Sequence, residues 1–221
     1  MLKPLLLVFS ILIATMAITA ESPATAAPLS ESSRKVLNQV CARVAAYPVV
    51  RGQFTQTKLI KRLNKNFNSQ GRFLFSGQEG ILWQVEKPFQ SSMVMTKDRL
   101  VQKSASGKTS LMDSQGNLVF KRFADTLQAV FAGRLSVLEE QFSLRFQGDL
   151  TQWTITLIPL DDSVRSVIQT MEIQGDQYIR GLRLVEASGD LNVYTFSSIQ
   201  DSASLSEPEQ RQFSDAKSLQ P

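Results

Sequence analysis

The sequence predicts a mainly β (α+β) protein, an unclosed antiparallel β-barrel or half-barrel, with helices forming a lid over an apolar cavity. Apolar and polar residues alternate with a period of two through most of the chain after Val49, as strands with one buried face require. Helical spacing is confined to one early and one central segment. The apolar faces of these two helices must be buried against the curved sheet.

The chain begins with the features of a secretory signal peptide. Lys3 precedes an apolar run from Leu5 to Ile18, and Ala24-Thr25-Ala26 supplies a small-x-small cleavage site. The run is short for a membrane-spanning helix, although an uncleaved anchor is the alternative. We therefore expect cleavage near Ala26. The chain then divides into a signal peptide (1–27), a single domain (28–201) and a polar, flexible C-terminal tail (202–221).

The composition excludes several kinds of site. The 221 residues include no histidine and one cysteine, Cys41, so neither an intrachain disulfide nor a nucleophile paired with histidine is possible. The commonest zinc and copper ligand is also missing, and we expect no metal and no cofactor. The net charge of +4 favours anionic headgroups or an acidic partner surface over nucleic acid, with ordinary solubilising charge as the alternative.

The first elements are a helix and a run of strands. The helix spans SESSRKVLNQVCARVAAYP, with Ser30 or Ser32 as its cap and Pro48 after its end. In the next segment Phe73 and Phe75 share one face, and a turn at 77–80 leads into GILWQVEKPF. There Ile81, Trp83 and Val85 point one way, and Leu82, Gln84 and Glu86 point the other. Pro88, which cannot donate to a ladder, ends the strand.

The middle of the chain returns briefly to helical spacing. SSMVMT and a short strand at 100–101 come first, followed by a polar, mobile loop at 103–110. Its SGKTS is not a phosphate loop, because Gln102 occupies the place of the first glycine. Residues 118–131 then form a helix, and a further helical turn begins at Ser136.

The last third reads as paired strands. FSLRFQ and WTITLIPL alternate cleanly, and a short connection at 161–168 follows them. Three more strands are predicted at about 169–174, 178–186 and 190–200, separated by Gly/Asp-containing turns.

Three groups of residues are candidates for function. The first would line an apolar cavity, although an ordinary packed core is the alternative for aromatic and methionine side chains: Phe54, Phe73, Phe75, Trp83, Met93, Met95, Phe142 and Leu144. The second would form the lid: Phe120, Phe123, Leu127, Val130 and Phe131. The third is basic and surrounds a hairpin tip, where a partner, lipid headgroups or only solvent would meet it: Lys58, Lys61, Arg62 and Lys65.

Several short motifs together resemble the LolA-type periplasmic lipoprotein carriers. These are GQFTQ (52–56), the G-x-F-x-F strand at 71–75, LWQVEKPF followed by MVMTKDRLV, and the final hairpin GLRLVEASGDLNVYTFSSIQ. Two features depart from that family. Gly77 stands six residues before Trp83, where the family has an arginine that holds the lid shut, and Arg72 is out of phase. EPEQRQF (207–213) also replaces the family's F-x-P-P-x-G ending.

The resemblance implies a periplasmic carrier that shelters acyl chains of lipoproteins, or of another lipid, and ferries them from the inner to the outer membrane. It also implies an inner-membrane donor, an ABC exporter complex or other exporter, and an outer-membrane acceptor. We expect a monomer that is not an enzyme. The alternatives are an enzyme of a lipid or pigment pathway on the same shell, with Glu86, Glu139 or Glu140 as its acid or base, and a lipid-sensing regulatory module.

Overall fold

A computed structural model describes residues 29–113 and 118–219, except for the side chains of 113, 118–121 and 123. The predicted signal peptide therefore lies outside the described residues. Within the described residues, no helix is long and apolar enough to cross a bilayer.

Eleven strands and five α-helices make up the described chain. The strands are β1 (Val49–Ile60), β2 (Lys65–Ser76), β3 (Gly80–Lys87), β4 (Ser91–Met95), β5 (Arg99–Lys103), β6 (Thr109–Asp113), β7 (Phe142–Gly148), β8 (Trp153–Pro159), β9 (Ile168–Gly175), β10 (Ile179–Glu186) and β11 (Leu191–Ser202). The helices are α1 (Glu31–Ala45), α2 (Leu118–Phe131), α3 (Leu135–Gln141), α4 (Asp162–Arg165) and α5 (Glu207–Ser218).

All eleven strands form one antiparallel sheet, in the order β6-β5-β4-β3-β2-β1-β11-β10-β9-β8-β7. The first strand pairs with the last at the centre, where Phe54 lies opposite Phe196. β6 and β7 are the two edges, so the sheet stays open. This confirms the predicted half-barrel.

The two faces of the sheet carry different residues because side chains alternate along each strand. Phe54 and Phe73 point to the face that α1, α2 and α3 cover, which we call the inner face. Leu74 and Leu82 point to the other, the outer face, where Phe213 of α5 packs against them. The helices thus cover both sides of a single sheet.

Helix α5 corrects the prediction of a loosely held tail after residue 202. Ser206 and Glu209 form a capping box at its N-terminus, and Pro208 occupies its first turn, where a missing N–H costs nothing. Phe213 is fully buried against the outer face. The tail is polar, as the sequence shows, but its one phenylalanine anchors a regular helix.

The predicted polar loop at 103–110 is shorter than expected. β5 continues through Lys103, and β6 begins at Thr109, leaving residues 104–108 as the connection of a hairpin. No strand was predicted at the position of β6. The last three strands and the helical turn that becomes α3 lie within a few residues of their predicted positions.

Candidate functional site

An aromatic cluster occupies the centre of the inner face. The rings of Phe54 and Trp83 stack with centroids 3.9 Å apart, and Tyr194 meets Trp83 edge-on at 5.5 Å. Phe73 and Phe196 meet edge-on at 4.9 Å beside them. These rings come from β1, β2, β3 and β11, so the register of the sheet, rather than any local sequence, brings them together.

The structure places all eight predicted cavity residues in the apolar core of the inner face. Four of them belong to the larger cluster, which also contains residues of α1 and β8–β11: Phe54, Phe73, Phe142 and Leu144. Two belong to a smaller cluster toward β3–β5, Phe75 and Met95, and Met93 packs against it. The half-buried Trp83 contacts both clusters and joins them.

Helix α2 lies over this surface, as predicted for the lid. The ring of Phe131 stacks on Phe75 with centroids 5.2 Å apart and lies 6.4 Å from Phe73. Leu127 packs against the smaller cluster and Val130 belongs to the larger one. The predicted lid side chains of Phe120 and Phe123 lie outside the described residues.

Two small cavities between the inner face and its helices are lined by described residues alone. One lies near Val44, Phe73 and Phe131, and the other lies among Cys41, Val130 and Trp153; each has a volume of about 20 Å³. Such a cavity holds about one water molecule. An acyl chain can enter at these two places only if the helices move away from the sheet.

Close packing holds the helical cover in place at one point. Gly133, just after α2, has φ of 60°. A Cβ there would lie 2.1 Å from the carbonyl oxygen of Cys41 on α1. Only glycine both adopts this conformation at low cost and lets the two backbones approach so closely. The end of α2 therefore packs directly against the backbone of α1.

Ion pairs and hydrogen bonds fasten the rest of the cover. Arg122 of α2 pairs with Asp161 at 2.9 Å, and Arg43 of α1 donates to the carbonyl oxygen of Leu150 at 2.8 Å. The positions that replace the family's lid arginine do not take part. Gly77 donates its N–H to Pro48, and Arg72 pairs with Glu86 on the outer face. The lid is thus held by groups other than the arginine that the resemblance implies.

The predicted basic patch loses one of its four members. Lys58 is only 7% exposed on the inner face, and its Nζ lies 3.0 Å from Oε1 of Glu186, which is 5% exposed. Lys61, Arg62 and Lys65 are exposed at the β1–β2 hairpin tip, as predicted. Lys58 was assigned to the patch because its partner is 128 residues away and cannot be seen in local sequence.

Polar residues that the sequence analysis did not single out surround this pair. Asn192 donates to the same Glu186 oxygen at 2.7 Å, and Gln56 donates to Asn192 and to the hydroxyl of Tyr194. Burial, together with the negative charge of Glu186, raises the pKa of the Tyr194 hydroxyl. The network therefore gives one end of an otherwise apolar interior a set of fixed, neutral and charged hydrogen-bonding groups. In the sequence, the only indication that Gln56 lies on the inner face is its position two residues after Phe54.

The candidate acid–base carboxylates lie away from this interior. Glu86 pairs with Arg72 on the outer face, Glu139 pairs with Arg34 at 2.7 Å, and Glu140 is exposed. Among the described residues, no three His, Cys, Asp or Glu side chains come together as a metal site would require. The inner face thus offers apolar surface and hydrogen bonds.

The family model for the outer membrane lipoprotein carrier protein LolA matches residues 47–210. The chain belongs to the LolA family. The match runs from the end of α1 into α5 and covers both the aromatic cluster and the lid helix. No curated protein sequence matches this LolA family member.

Solved structures with a similar fold have low sequence identity to this LolA family chain. A Vibrio parahaemolyticus domain described as an outer membrane lipoprotein-sorting protein domain is 11% identical, with a TM-score of 0.46, over 83% of this chain and 98% of that one. A LolA superfamily protein from Nitrosomonas europaea is 10% identical, with a TM-score of 0.44, over 78% and 96%. The MucA/MucB complex of Pseudomonas aeruginosa gives 15% identity and a TM-score of 0.46 over 80% and 60%. We infer nothing about function from these three.

Proposed function

We propose that this protein is a periplasmic carrier that shelters acyl chains of lipoproteins, or of another lipid, between the inner face and its helical cover. It would receive them from an inner-membrane exporter and deliver them to an acceptor at the outer membrane. The observation that carries this proposal is the continuous aromatic and aliphatic inner face, covered by separate helices rather than by a second sheet. Membership of the LolA family supports it.

The energetics require a balance between guest and lid. Burying an acyl chain contributes roughly 0.8 kcal/mol per CH₂, or about 12 kcal/mol for a C16 chain. Leu127 and Phe131 of α2, both partly buried, pack on the surface that the guest would occupy. Moving α2 away exposes the buried part of these two side chains, at a cost for each that is below the roughly 1.5–3 kcal/mol of a fully buried side chain. Lid closure therefore offsets part of the guest's binding energy and allows its release.

This competition predicts that weakening the lid strengthens binding. In the Phe131→Ala variant the closed form loses the ring contacts with Phe75 and Phe73, so a larger fraction of molecules is open to a guest. We expect the affinity for a fluorescent C16 fatty-acid probe to rise about 5- to 30-fold, measured by fluorescence titration, because a shift of about 1–2 kcal/mol corresponds to that range.

Phe213→Ala is the matched control for this prediction. It removes the same side chain from a buried site on the outer face, where α5 rather than a guest covers the sheet. Both variants should lower the midpoint of urea unfolding, but only Phe131→Ala should change the affinity for the probe. Equal probe affinities in all three proteins would contradict the carrier proposal at this site.

A second variant tests the same surface and is expected to weaken probe binding rather than strengthen it. Met93 is half-buried, lies opposite Trp83 in register, and packs against the smaller cluster. Met93→Glu places a carboxylate on the path of the acyl chain and should weaken probe binding at least tenfold. Far-UV circular dichroism must remain that of the parent. Full-strength binding by a folded Met93→Glu protein would remove Met93 and its neighbours from the guest site.

Native mass spectrometry of protein purified from the cell envelope addresses the identity of the guest. A co-purifying lipoprotein or lipid is expected, and its mass would distinguish the two. Turnover of a co-purifying small molecule would instead favour the enzyme alternative.

A further inference from the structure

Most of the exposed apolar side chains gather at one end of the sheet. Five large apolar residues are exposed among the described residues. Leu63 and Phe67 belong to the β1–β2 hairpin, Phe89 to the β3–β4 turn, and Leu160 follows β8. The pairing registers put these segments at the same end, which also carries the β5–β6 turn. The fifth, Leu219, lies at the opposite end beside Arg99.

Cations are interleaved with these apolar residues. The three turns, 60–67, 86–91 and 103–109, contain one acidic residue, Glu86, which is paired with Arg72 at 2.5 Å. They also contain six exposed cations, none of which forms an ion pair with a described residue: Lys61, Arg62, Lys65, Lys87, Lys103 and Lys108. We call these three turns the basic rim.

The apolar side chains of the basic rim are unusually exposed for their size. Phe89 is 70% exposed, Leu63 is 51% exposed and Phe67 is 49% exposed. Leu63 and Phe67 stand on the β1–β2 turn and Phe89 stands on the β3–β4 turn. Phe67 lies opposite Lys58 in register, so it belongs to the inner face where that face reaches the rim. The basic rim is therefore also the margin of the covered interior.

We propose that the basic rim docks on the surface of an anionic phospholipid bilayer, with Phe89 and Leu63 entering the headgroup region. Positive charge is attracted to anionic lipids, and exposed aromatic and leucine side chains gain burial in the interface. Lysine and arginine keep their charged ends among phosphates while their stems cover apolar surface. A protein partner is the less suitable occupant because five of the six cations are lysine, which protein interfaces disfavour.

A polar groove beside the rim fits the same occupant. It has a volume of about 410 Å³ and opens between the β3–β4 and β5–β6 turns, with Ser91, Ser92, Lys103 and Ser104 in its walls. Glu86 also lines it, but that carboxylate is paired with Arg72. Hydroxyl and ammonium groups are donors suited to the phosphate and glycerol oxygens of a headgroup. Docking in this orientation would bring the margin of the inner face against the bilayer.

The first test is binding to vesicles without any acyl probe. Protein purified from the periplasm, with its N-terminus established by mass spectrometry, is mixed with phosphatidylglycerol/phosphatidylethanolamine vesicles or with phosphatidylcholine vesicles and floated. We expect at least tenfold tighter binding to the anionic vesicles at 50 mM salt, and weaker binding at 300 mM. Equal binding to both vesicles, or none to either, overturns the proposal. An acidic protein partner would leave the protein unbound here.

The second test uses two variants with the same loss of charge. One carries Lys61→Gln, Lys65→Gln and Lys87→Gln in the rim. The other carries Lys35→Gln, Lys97→Gln and Arg183→Gln, which remove three exposed cations elsewhere. Removing one cation near the membrane surface lowers the affinity about tenfold or less. The rim variant should therefore bind anionic vesicles about 10- to 100-fold more weakly than the parent, and the control variant should bind them less than about threefold more weakly. Equal losses would show that net charge alone causes adsorption and would overturn docking by the rim.

The third test reports insertion directly. In a Phe89→Trp variant, the emission of the new tryptophan should shift to the blue with anionic vesicles and be quenched by brominated lipid. Leu219→Trp, at the opposite end, should show neither change. Identical behaviour of the two variants would contradict the proposed orientation. Because no acyl guest is involved, these outcomes are independent of the probe experiments on Phe131 and Met93.

Discussion

Lys58 illustrates how much a single side chain depends on a distant partner. It is buried on the inner face with Glu186 at 3.0 Å, and Asn192 completes the hydrogen bonding of that carboxylate. A buried pair is costly to assemble, but removing one partner is costlier because the other charge is left without compensation. Lys58 follows Phe54 and Gln56 at the strand period of two, but it was assigned to the hairpin tip because lysine at a hairpin end ordinarily indicates solvent. No local pattern could therefore predict its burial.

The pair gives a prediction with a matched control. Lys58→Met should lower the free energy of unfolding by about 3–5 kcal/mol, since it leaves the Glu186 carboxylate buried alone. Lys61→Met, three residues away and exposed, should change it by about 0.5 kcal/mol or less. Urea denaturation measures both.

A second-site change separates buried charge from lost packing. Adding Glu186→Gln to Lys58→Met removes the uncompensated charge but keeps an oxygen for Asn192. At least half of the lost stability should return. If the double variant is no more stable than Lys58→Met alone, the cost does not come from the unpaired carboxylate.

At the scale of elements, the contrast between β3 and α5 shows what sequence patterns reveal. β3 was predicted closely because Ile81, Trp83 and Val85 recur with a period of two and Pro88 follows. α5 was missed because it buries only Phe213 and Ala216 and is otherwise polar. Its position on the outer face depends on Leu74 and Leu82, which are more than a hundred residues earlier.

Glu209 fastens α5 and provides the prediction at this scale. Its carboxylate accepts the Ser206 N–H at 2.7 Å and two bonds from Arg51 at 3.1 Å. Burial alone would raise the pKa of Glu209, but the hydrogen bonds from Ser206 and the charge of Arg51 hold that pKa below its ordinary value. A lowered pKa in the folded state stabilises the protein above the unfolded pKa of 4.5 and loses this effect as the pH falls.

Glu209→Gln should therefore cost about 1–3 kcal/mol of unfolding free energy at pH 7. The difference from the parent should shrink between pH 5 and about pH 3, because the parent carboxylate is then protonated. Glu207→Gln removes the same charge from the first turn of α5, where it is largely exposed, and should change stability by about 0.5 kcal/mol or less. Equal losses for the two variants would mean that helix charge, and not the Glu209 contacts, stabilises α5.

At the scale of the whole molecule, the sequence predicted the open sheet and its apolar inner face but left open whether those side chains fill a core or line a cavity. The structure shows rings in direct contact and cavities the size of a water molecule at two places under the helices. That outcome depends on how α1, α2 and the sheet fit together. Whether the interior is packed or hollow depends on the side-chain volumes of elements that are distant in sequence. The period of apolar residues along the chain contains no information about those volumes.

Cys41, the only cysteine in the chain, lies on α1 where α1 faces the end of α2, and so it reports whether the cover is closed. Burial, with a smaller contribution from Glu139, raises the pKa of its thiol to about 11. Little of the reactive thiolate exists at pH 8 in the closed form. We expect alkylation by iodoacetamide to be slow in the parent protein, at least tenfold faster with a saturating C16 probe, and about 5- to 30-fold faster in Phe131→Ala.

An exposed thiol supplies the reference rate. Ser106→Cys in a Cys41→Ala background places a cysteine on the β5–β6 turn, and its alkylation should not respond to the probe. If Cys41 reacts as fast as this exposed thiol without a guest, the cover is open in solution and the proposed competition between lid and guest is wrong.

The pairing of β1 with β11 has a consequence for how the chain reaches its folded state. β1–β6 and β7–β11 are two meanders whose neighbouring strands are also neighbours in sequence, whereas the seam between them joins Val49 to Ser202. Contacts so distant in sequence form late because a long loop must close first. A chain whose synthesis or export stops before residue 191 would present two half-sheets, each with a bare inner edge able to pair with another chain. Completion of the last strand is thus the step that removes this hazard from the centre of the protein.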